Sequence, residues 1–443
     1  MAGEWVDKAV GDIADVVGGS TPSTRDPANF DGDVPWLTPK DLSSPHSRYV
    51  KRGERNLSSK GFESCSAQLL PANSVLLSSR APIGYLAIAA NPIATNQGFR
   101  SLIVRPAYDH EFLYYWLSGN IEELERHSSG STFKELSGTA LKQIRLRLPV
   151  DRDEQRAIAR ILGTLDNKIE LNRRMNATLE AMARALFQSW FVDFDPVRAK
   201  LDGRPPAALD PATAALFPEH LDESKLGHIP RGWEVKTIES LCGVITSGGT
   251  PARMHKAYWE PATVPWFKTG ELMDGPLIDA EERISEDGLA NSACKLWPAG
   301  TILFALYASP TVGRFGVLTK PGTANQAAAA LIAKPAYGVP FLMGLLYEAR
   351  AELQRVAVGA AQQNINQGVL KSHVVIAPPP ALAKAYSDKV APWFEQRIKL
   401  AEQSRTLATL RDTLLPKLLS GELSVAEATG NRDFQVQPGM PKP

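Results

Sequence analysis

The stretch DEQRAIARILGTLDNKIELNRRMNATLEAMARALFQSWFVDF, residues 153–194, decides how this 443-residue chain folds. Its apolar side chains recur mostly at alternating steps of three and four, as Ile158, Leu162, Leu165, Ile169, Leu179, Met182, Leu186 and Trp190. No proline interrupts it, and the isolated Gly163 costs only about 1 kcal/mol relative to Ala. The spacing predicts one helix with a narrow apolar seam, on the order of 60 Å long. A helix of that length needs a partner of similar length.

A second long helix is predicted from about Ala381 to Leu419, with a seam of Val390, Phe394, Ile398, Ala401, Leu407, Leu410, Leu414 and Leu418. We expect Pro416 to kink or end it and Gly421 to follow its end. Asn172 and Asn176 lie on the first seam, where they either set the register of the helix pair or are tolerated near the surface.

The chain repeats itself. Trp5 opens WVDKAVGDIADVVGGSTP, and Trp233 opens WEVKTIESLCGVITSGGTP. The later matches are PWLTPKDL (35–42) with PWFKTGEL (265–272), LPANSVLLSSRAPIG (from 70) with WPAGTILFALYASPTVG (from 297), and TNQGF (95–99) with ANQAA (324–328). The offset barely drifts, since 298 − 71 = 227 and 378 − 149 = 229. This constancy indicates a duplicated domain, each copy followed by a long helix.

Each copy combines short Val-, Ile- and Leu-rich strands with one late helix, DHEFLYYWLSGNIEELERH or VPFLMGLLYEARAELQRVA, which predicts a compact α+β domain. The predicted fold is α+β: two duplicated domains separated by two long antiparallel helices that form a coiled-coil-like spacer with pseudo-two-fold symmetry. The predicted segments are domain 1–150, helix 151–195, a Pro- and Ala-rich connector at 196–230 with at most short helices, domain 231–379, helix 380–425 and a flexible tail at 426–443.

Composition excludes several classes of protein. The chain is 44% hydrophobic and 22% charged, and neither a leader peptide nor a membrane span is expected. Its three cysteines are widely scattered, which argues against a disulfide framework or a zinc site and favours the cytoplasm. The net charge of +1 is mild evidence against nucleic-acid binding, although basic side chains cluster at residues 48–55 and 134–147.

Catalytic motifs are absent from the sequence. It holds no G-x-x-x-x-G-K-[ST], no G-x-G-x-x-G after a strand, no G-x-S-x-G and no H-E-x-x-H, and its seven histidines lack metal-ligand spacing. Duplication without a shared catalytic cluster favours a binding protein. A scaffold with duplicated protein-binding domains and an enzyme with a dispersed site, such as a nuclease, remain the alternatives.

Candidate binding residues come from polar loops. Gly-rich turns at 18–22 and 248–251 are expected to let a ligand approach the backbone. Arg and Lys suit phosphates and guanine edges. The candidates for DNA contact are Thr38, Lys40, Arg80, Lys134, Lys142, Lys268, Thr269, Tyr307, Arg314, Gln362 and Lys371. Trp36 and Trp266 are predicted to be core anchors, and Asn96 and Asn325 to form turns.

These features together resemble the specificity (S) subunit of type I restriction-modification enzymes. The resemblance covers nearly the whole chain and rests on the duplication, on PWLTPKDL and PWFKTGEL, on LPVDRDEQRAIARILGTLDNKIELNRRMNATLEAMARALFQSWFVDFDPVRAK and on the ending LRDTLLPKLLSGEL. It implies two target recognition domains, each reading one half of a split double-stranded DNA sequence, with the helices as a spacer. Half-sites on one face of B-DNA lie about 34–36 Å apart.

The resemblance also implies partners. Two methyltransferase subunits would dock on the chain, with Asp153, Glu154, Gln155, Trp190 and Phe191 as the candidate contacts. A restriction subunit would join them, and S-adenosylmethionine, ATP and magnesium would be bound by the partners while this chain holds none. The second helix departs from the pattern, because Leu382, Ala383 and Lys384 stand where the first has Asp-Glu-Gln.

Overall fold

The computed structural model describes residues 4–44, 46–130, 134–307, 310–358 and 364–430. They form two compact units. The first unit holds the chain up to Leu171 and from Arg405 onward, and the second holds Asn172–Ser404. Each unit therefore contains one recognition domain together with part of each long helix.

The first domain is built on a mixed five-stranded sheet. In spatial order its strands are Ala14–Gly18, Arg100–Val104, Val75–Ser79, Ile83–Ala89 and Tyr49–Val50. The central strand, Val75–Ser79, is buried along its whole length, which is why it reads as a continuous apolar run rather than an alternating one. The remaining strands are Trp5–Ala9 paired with Arg145–Pro149, Trp36–Leu37 paired with Ala94–Thr95, and Phe30–Val34. The helices and helical turns are Val10–Ile13, Pro27–Asn29, Pro39–Leu42, Ser59–Glu63, His110–Gly119, Ile121–Arg126 and Gly138–Gln143.

The second domain repeats this topology. Its five-stranded sheet has the order Cys242–Ser247, Ala328–Ala333, Ile302–Ala305, Phe315–Leu318 and Gly275–Leu277. Its other strands are Glu234–Thr237 paired with Val374–Ala377, and Val264–Phe267 between Glu282–Ile284 and Thr323–Ala324. The helices and helical turns are Ile238–Leu241, Lys256–Tyr258, Thr269–Glu271, Glu286–Ala290, Val339–Val358 and Gln367–Ser372. The duplication inferred from the sequence is thus present in the five-stranded sheet and in two further strand pairs of each domain, while the strands Phe30–Val34 and Glu282–Ile284 have no counterpart among the described strands of the other domain.

The late helix differs between the two domains. The first domain splits the predicted helix at Asn120, whose backbone lies outside the helical region, into His110–Gly119 and Ile121–Arg126. The second domain keeps one helix, Val339–Val358. The connector holds the short helices Asp195–Leu201 and Pro211–Ala215 as predicted, and also a hairpin, Leu221–Ser224 with Gly227–Pro230, that its turn-rich composition did not reveal.

Two long helices follow the domains. The first runs from Arg152 to Phe187 and ends in a wider turn over Gln188–Val192, after which Phe194 adopts a left-handed φ of 56°. The second runs from Pro380 to Ser420. The helix therefore does not end at Pro416, so of the two predicted outcomes the kink alone stays a prediction, and Gly421 follows the last helical residue as expected, at φ 76°.

Tertiary packing explains why the second helix continues through Pro416. Leu418 and Leu419 are buried in the core of the first unit, with Leu414 and Leu415 packed against that core. Such burial offsets the roughly 3 kcal/mol that proline costs in a helix interior. A further short helix, Val425–Thr429, occupies the start of the predicted flexible tail, and residues 431–443 lie outside the described part of the chain.

The long helices pair in opposite directions within the second unit. Asn172 Nδ2 donates to Gln403 Oε1 (2.9 Å), Arg397 Nη2 donates to Glu180 Oε2 (2.9 Å), and Tyr386 Oη donates to the Ala183 carbonyl (2.9 Å). Residue numbers rise on one helix as they fall on the other, so the predicted antiparallel pairing is confirmed. Over the residues that the structure describes, no helix combines the length and apolarity that crossing a membrane requires.

Asn172 is fully buried in this helix pair, at 0% exposure. Its amide donates across to Gln403 and to Ser404 Oγ (3.2 Å), while its Oδ1 is buried without a hydrogen-bond partner. Tolerance near the surface is therefore the wrong interpretation for Asn172, and the register-setting interpretation fits its geometry.

Replacing Asn172 with Leu is expected to raise the free energy of unfolding by about 1 kcal/mol, because it removes a buried acceptor that has no partner. Chemical denaturation measures the change. Ser404→Ala is the control and is expected to lower stability, since it takes away one of the partners of the Asn172 amide. A Leu variant less stable than the wild type by a similar amount would contradict this assignment.

Candidate nucleic-acid interface

Polar loops of the first domain meet at one end of its sheet. We call residues 18–22, 35–42, 79–82, 95–100 and 134–137 the first loop cluster. Main-chain carbonyls accept the hydrogen bonds that hold it together: Ser20 N to Thr95 O (2.9 Å), Trp36 Nε1 to Ser20 O (3.2 Å), Ser79 N to Gly98 O (2.7 Å) and Leu136 N to Ser79 O (2.9 Å). Loops joined in this way form a continuous surface on a rigid scaffold, the usual location of binding residues.

The second domain builds the corresponding surface with the corresponding bonds. We call residues 247–251, 265–272, 306–307, 324–327 and 364–366 the second loop cluster. Its bonds are Gly249 N to Ala324 O (2.9 Å), Trp266 Nε1 to Gly249 O (2.9 Å), Leu306 N to Ala327 O (2.8 Å) and Ile365 N to Leu306 O (2.9 Å). Trp36 and Trp266 are both buried, which confirms them as core anchors.

Glycine is required in the turns of both clusters because another part of the same chain lies against them. A Cβ on Gly19 would lie 2.1 Å from the Asn96 carbonyl oxygen, and one on Gly248 would lie 2.2 Å from the carbonyl oxygens of Ala324 and Asn325. The glycines at these two positions thus admit the chain's own backbone, and the approach of a ligand to the turns stays a prediction. Asn96 does form a turn as predicted, since its Oδ1 accepts a hydrogen bond from Gly98 N (2.9 Å).

Four predicted DNA-contacting residues lie in the first loop cluster. Thr38 caps the turn Pro39–Leu42 with its backbone N–H and hydroxyl both on Asp41 Oδ2 (2.7 Å each). Lys40 is exposed and 3.2 Å from Glu54. Arg80 and Lys134 line an open cleft of about 440 Å³ with Glu125 and Glu135.

Glu135 lies between two cations of this cluster. Its carboxylate oxygens are 3.8 Å from Arg80 and 3.0 Å from Arg100, while Lys134 is 3.5 Å from Glu125. These cations of the first loop cluster are therefore paired with neighbouring acids rather than isolated.

The second loop cluster shows the same chemistry with different residues. Lys268 is 2.9 Å from Glu281 and 3.1 Å from Glu282, and hydrogen bonds to these two carboxylates raise the pKa of Lys268. Arg253 also bonds Glu282, and this bond holds the pKa of the Glu282 carboxyl below its ordinary value. Glu282 thus bridges two cations, as Glu135 does in the first domain.

Arg253 is a candidate that sequence reasoning missed. Its guanidinium lies 3.8 Å from the ring centre of Trp259 and 5.1 Å from that of Trp266. In the first domain Arg55 lies 4.1 Å from the ring centre of Phe30 and pairs with Asp31. The sequence did contain a signal for this arginine. Trp259 and Trp266 lie 229 and 230 residues after Phe30 and Trp36, so both domains carry a pair of aromatic rings on which an arginine can stack.

The remaining candidates of the second domain are placed less uniformly. Thr269 begins a helical turn and is 7% exposed, and Tyr307 directly follows Leu306 at the position equivalent to Arg80. Arg314 is partly buried on the other arm of the same hairpin, with Nη1 3.6 Å from Met273 Sδ.

Two of the predicted residues that the structure describes, Lys142 and Lys371, do not join either cluster. Lys142 lies beside Gly11, at the end of strand Ala14–Gly18 that is remote from the loops, and Lys371 is paired with Glu239 at 3.1 Å. Gln362 lies outside the described residues. The basic run at 134–147 is continuous in sequence, but the helix Gly138–Gln143 carries its later members away from the loops.

The predicted partner contacts divide into two groups. Asp153 and Glu154 lie in the first turn of the first long helix, where Asp153 accepts a hydrogen bond from Arg156 (3.0 Å). Gln155 is 1% exposed, and its amide bonds Asp109 N (2.9 Å) and Pro149 O (2.8 Å), which docks the helix on the first domain. Trp190 and Phe191 are buried in the core of the second unit. Gln155, Trp190 and Phe191 thus have packing partners within the chain, and their contact with a partner subunit stays a prediction.

Within the residues that the structure describes, no three His, Cys, Asp or Glu side chains are grouped to hold a metal ion. The two loop clusters instead present cations, hydroxyls and amides on rigid turns, a set of groups that matches phosphate oxygens and base edges.

Comparison with known proteins gives a consistent result. The model of the type I restriction modification DNA specificity domain matches residues 2–181 and 230–393. The MjaIX specificity subunit of Methanocaldococcus jannaschii is 34% identical over 96% of this chain and 94% of its own length. The HindI specificity subunit of Haemophilus influenzae is 29% identical over 71% of this chain and 77% of its own. The type I S subunit structure from M. genitalium has the same fold, with a TM-score of 0.55, 15% identity and coverage of 94% of this chain and 96% of that one.

The chain belongs to the family of type I restriction enzyme specificity subunits.

Proposed function

We propose that each domain reads one half of a bipartite DNA target through its loop cluster, and that the paired long helices set the spacer between the halves. The observation that carries this proposal is the repeated frame of hydrogen bonds, which places different side chains at equivalent positions. Arg80 and Tyr307 follow the same strand of the frame, and Gly98 and Ala327 occupy the same turn. Two domains that share the same hydrogen-bond frame but carry different side chains on it are suited to reading two half-sites of different sequence.

Affinity and sequence choice would come from different side chains. Exposed Lys40 and Lys134 and half-buried Lys268 are suited to phosphates, whose neutralisation releases counterions and makes binding depend steeply on salt. Arg80, Arg253 and Tyr307 have the planar or hydrogen-bonding ends that recognise base edges or stack on them.

Methylation, ATP-dependent translocation and cleavage are assigned to partner subunits in this proposal. Two methyltransferase subunits would carry S-adenosylmethionine, and a restriction subunit would carry ATP and magnesium. Asp153 and Glu154 are the proposed contacts for one methyltransferase subunit. The corresponding Leu382 and Ala383 are buried, so the second helix start would be contacted through other residues. These steps would act on double-stranded DNA in the cytoplasm.

Direct binding tests the proposal against a protein scaffold. The chain assembled with its methyltransferase subunits should bind a duplex carrying its target, with log Kd rising linearly with log salt. Hydroxyl-radical footprinting should show two protected segments. Binding insensitive to salt, or protection of a single segment, would contradict the assignment.

Glu282→Gln is expected to increase the affinity of the assembled complex for non-target duplex by about three- to tenfold at low salt. The change removes one negative charge and frees Arg253 for phosphates, while Lys268 keeps its pair with Glu281, so the salt slope should steepen by about one. Fluorescence anisotropy measures both effects. The control is Glu348→Gln, which neutralises an exposed acid of the same domain that lies on the helix Val339–Val358. If the affinity of Glu282→Gln for non-target duplex is unchanged, Glu282 does not lie in the DNA interface. If the variant loses affinity for the target duplex alone, Glu282 contacts a base.

A further inference from the structure

In the first unit a half-buried polar cluster joins the recognition domain to both long helices. Tyr115 of the helix His110–Gly119 donates its hydroxyl hydrogen to Asp166 Oδ2 (2.6 Å), and Arg411 Nη1 donates to Asp166 Oδ1 (2.7 Å). Asp166 belongs to the first long helix and Arg411 to the second. Arg48 completes the cluster by donating to the Tyr115 oxygen and to Glu111 (3.0 Å).

The second unit contains a cluster of the same composition. Tyr347 of the helix Val339–Val358 donates to Glu180 Oε1 (2.7 Å), and Arg397 Nη2 donates to Glu180 Oε2 (2.9 Å). Glu180 lies on the first long helix and Arg397 on the second. Arg350 adds a bidentate pair with Asp274 of the same domain. Again a domain tyrosine, a first-helix carboxylate and a second-helix arginine meet.

The duplication does not relate the two clusters. The offset of 229 carries Asp166 to position 395, where Glu395 is exposed, and carries Tyr115 to position 344, which is Gly344. It carries Glu180 to position 409, a threonine. Inheritance from one ancestral domain therefore does not explain why the same three groups occur in both units. A functional requirement that is common to both domains explains it.

The chemistry of the clusters favours geometric precision over stability. A buried ion pair contributes little net stability compared with well-packed apolar side chains, but its hydrogen bonds are directional and hold their partners within narrow limits. Burial raises the pKa of both tyrosines, so the hydroxyls stay protonated and act as donors. Gly163 leaves the space that the Arg48 guanidinium of the first cluster occupies, because a Cβ at position 163 would lie 2.9 Å from it.

We propose that the Tyr115–Asp166–Arg411 and Tyr347–Glu180–Arg397 clusters, which we call clasps, fix each recognition domain on the helix pair and so restrict the complex to one spacer length. The six side chains are positioning residues that need not touch DNA. This inference rests on the proposed function and adds a set of residues to it.

The required precision can be stated from DNA geometry. One base pair moves a half-site by about 3.4 Å along the duplex and by about 35° around it, since one turn holds about 10–10.5 base pairs. A domain held within about 0.5 Å and 10–20° reads a single spacer. A domain free to tilt on the helices by more than half a base-pair step meets sites with one base pair more or fewer.

Sequencing of methylated bases in cells that express the chain with its methyltransferase subunits tests the clasps. Tyr115→Phe and Tyr347→Phe keep the rings and lose the hydrogen bonds, and Asp166→Asn and Glu180→Gln keep the volume and lose the charge. We expect unchanged half-sites, with methylation at spacers one base pair longer or shorter rising at least about tenfold over wild type. The controls are Glu395→Gln, the repeat equivalent of Asp166, and Tyr108→Phe, which removes a hydroxyl of the first domain outside the clasp.

The outcomes separate the inference from the function. Folded variants that retain the single wild-type spacer, like the controls, overturn the clasps and leave the proposed function intact. A wild-type chain that yields no bipartite motif overturns the proposed function itself. Thermal unfolding establishes that each variant is folded, and if an acid variant does not fold, the Phe variant of the same clasp decides.

Discussion

Removing residues 168–174 and 402–408 together is expected to reduce methylation of the original target at least about a hundredfold. These two heptads lie opposite each other, because Asn172 contacts Gln403 and Ser404, and their removal leaves both clasps in place. Seven residues shorten each helix by about 10.5 Å, close to three base pairs of B-DNA. Seven residues are also nearly two full turns, so the apolar seam keeps its register. Any target that the shortened chain still recognises should have a shorter spacer.

A length-preserving variant is the control for this deletion. Both heptads are replaced by a different sequence with the same apolar positions, and the original spacer should then persist. Mapping of methylated bases distinguishes the two chains. A shortened chain that still methylates the original target at the wild-type level would show that the helices do not determine the spacer.

Gly344→Ala is expected to destabilise the second unit by about 2 kcal/mol, although alanine is the better helix former. A Cβ at position 344 would lie 2.2 Å from Phe187 Cδ2. Phe187 is 4% exposed and is packed against Phe191, Phe341 and Tyr386, with ring centres 4.9, 5.6 and 5.6 Å away. The ring cannot withdraw without disturbing this core, and overpacking of 1–3 kcal/mol or more exceeds the roughly 1 kcal/mol gained from propensity.

Calorimetry measures this effect as a lower midpoint of unfolding. Gly270→Ala is the control, because a Cβ there meets no atom within 4 Å. An unchanged midpoint for Gly344→Ala would mean that the end of the first long helix is not locked against the helix Val339–Val358, which this packing requires.

The sequence predicts the fold well where one physical signal extends over many residues. The seam of the first long helix and the constant repeat offset led directly to both helices and to two domains of equal topology. Pro416 shows the limit of local rules, because Leu418 and Leu419 are buried in a core assembled from distant segments. That burial outweighs the helix-breaking tendency and is invisible in the local sequence.

The candidate interface was only partly predictable. Loops that follow a repeated Pro-Trp or Pro-Ala turn could be aligned, which found Lys40, Arg80, Lys268 and Tyr307. Arg253 was missed because its significance depends on its stacking over Trp259 and on its ion pair with Glu282, 29 residues further along the chain, and only the folded chain shows these contacts. Gln155 was given as a partner contact because it belongs to the Asp-Glu-Gln helix start that the family resemblance singled out, and only the folded chain shows Asp109 and Pro149 around its amide.

The measurement that most directly tests this account is the methylated target of the wild-type chain, read from genomic DNA of cells that also express its methyltransferase subunits. Two loop clusters with equal frames and different side chains predict two unlike half-sites separated by one constant number of unspecified base pairs. A continuous motif without a spacer, or the absence of any chain-dependent motif, would contradict it.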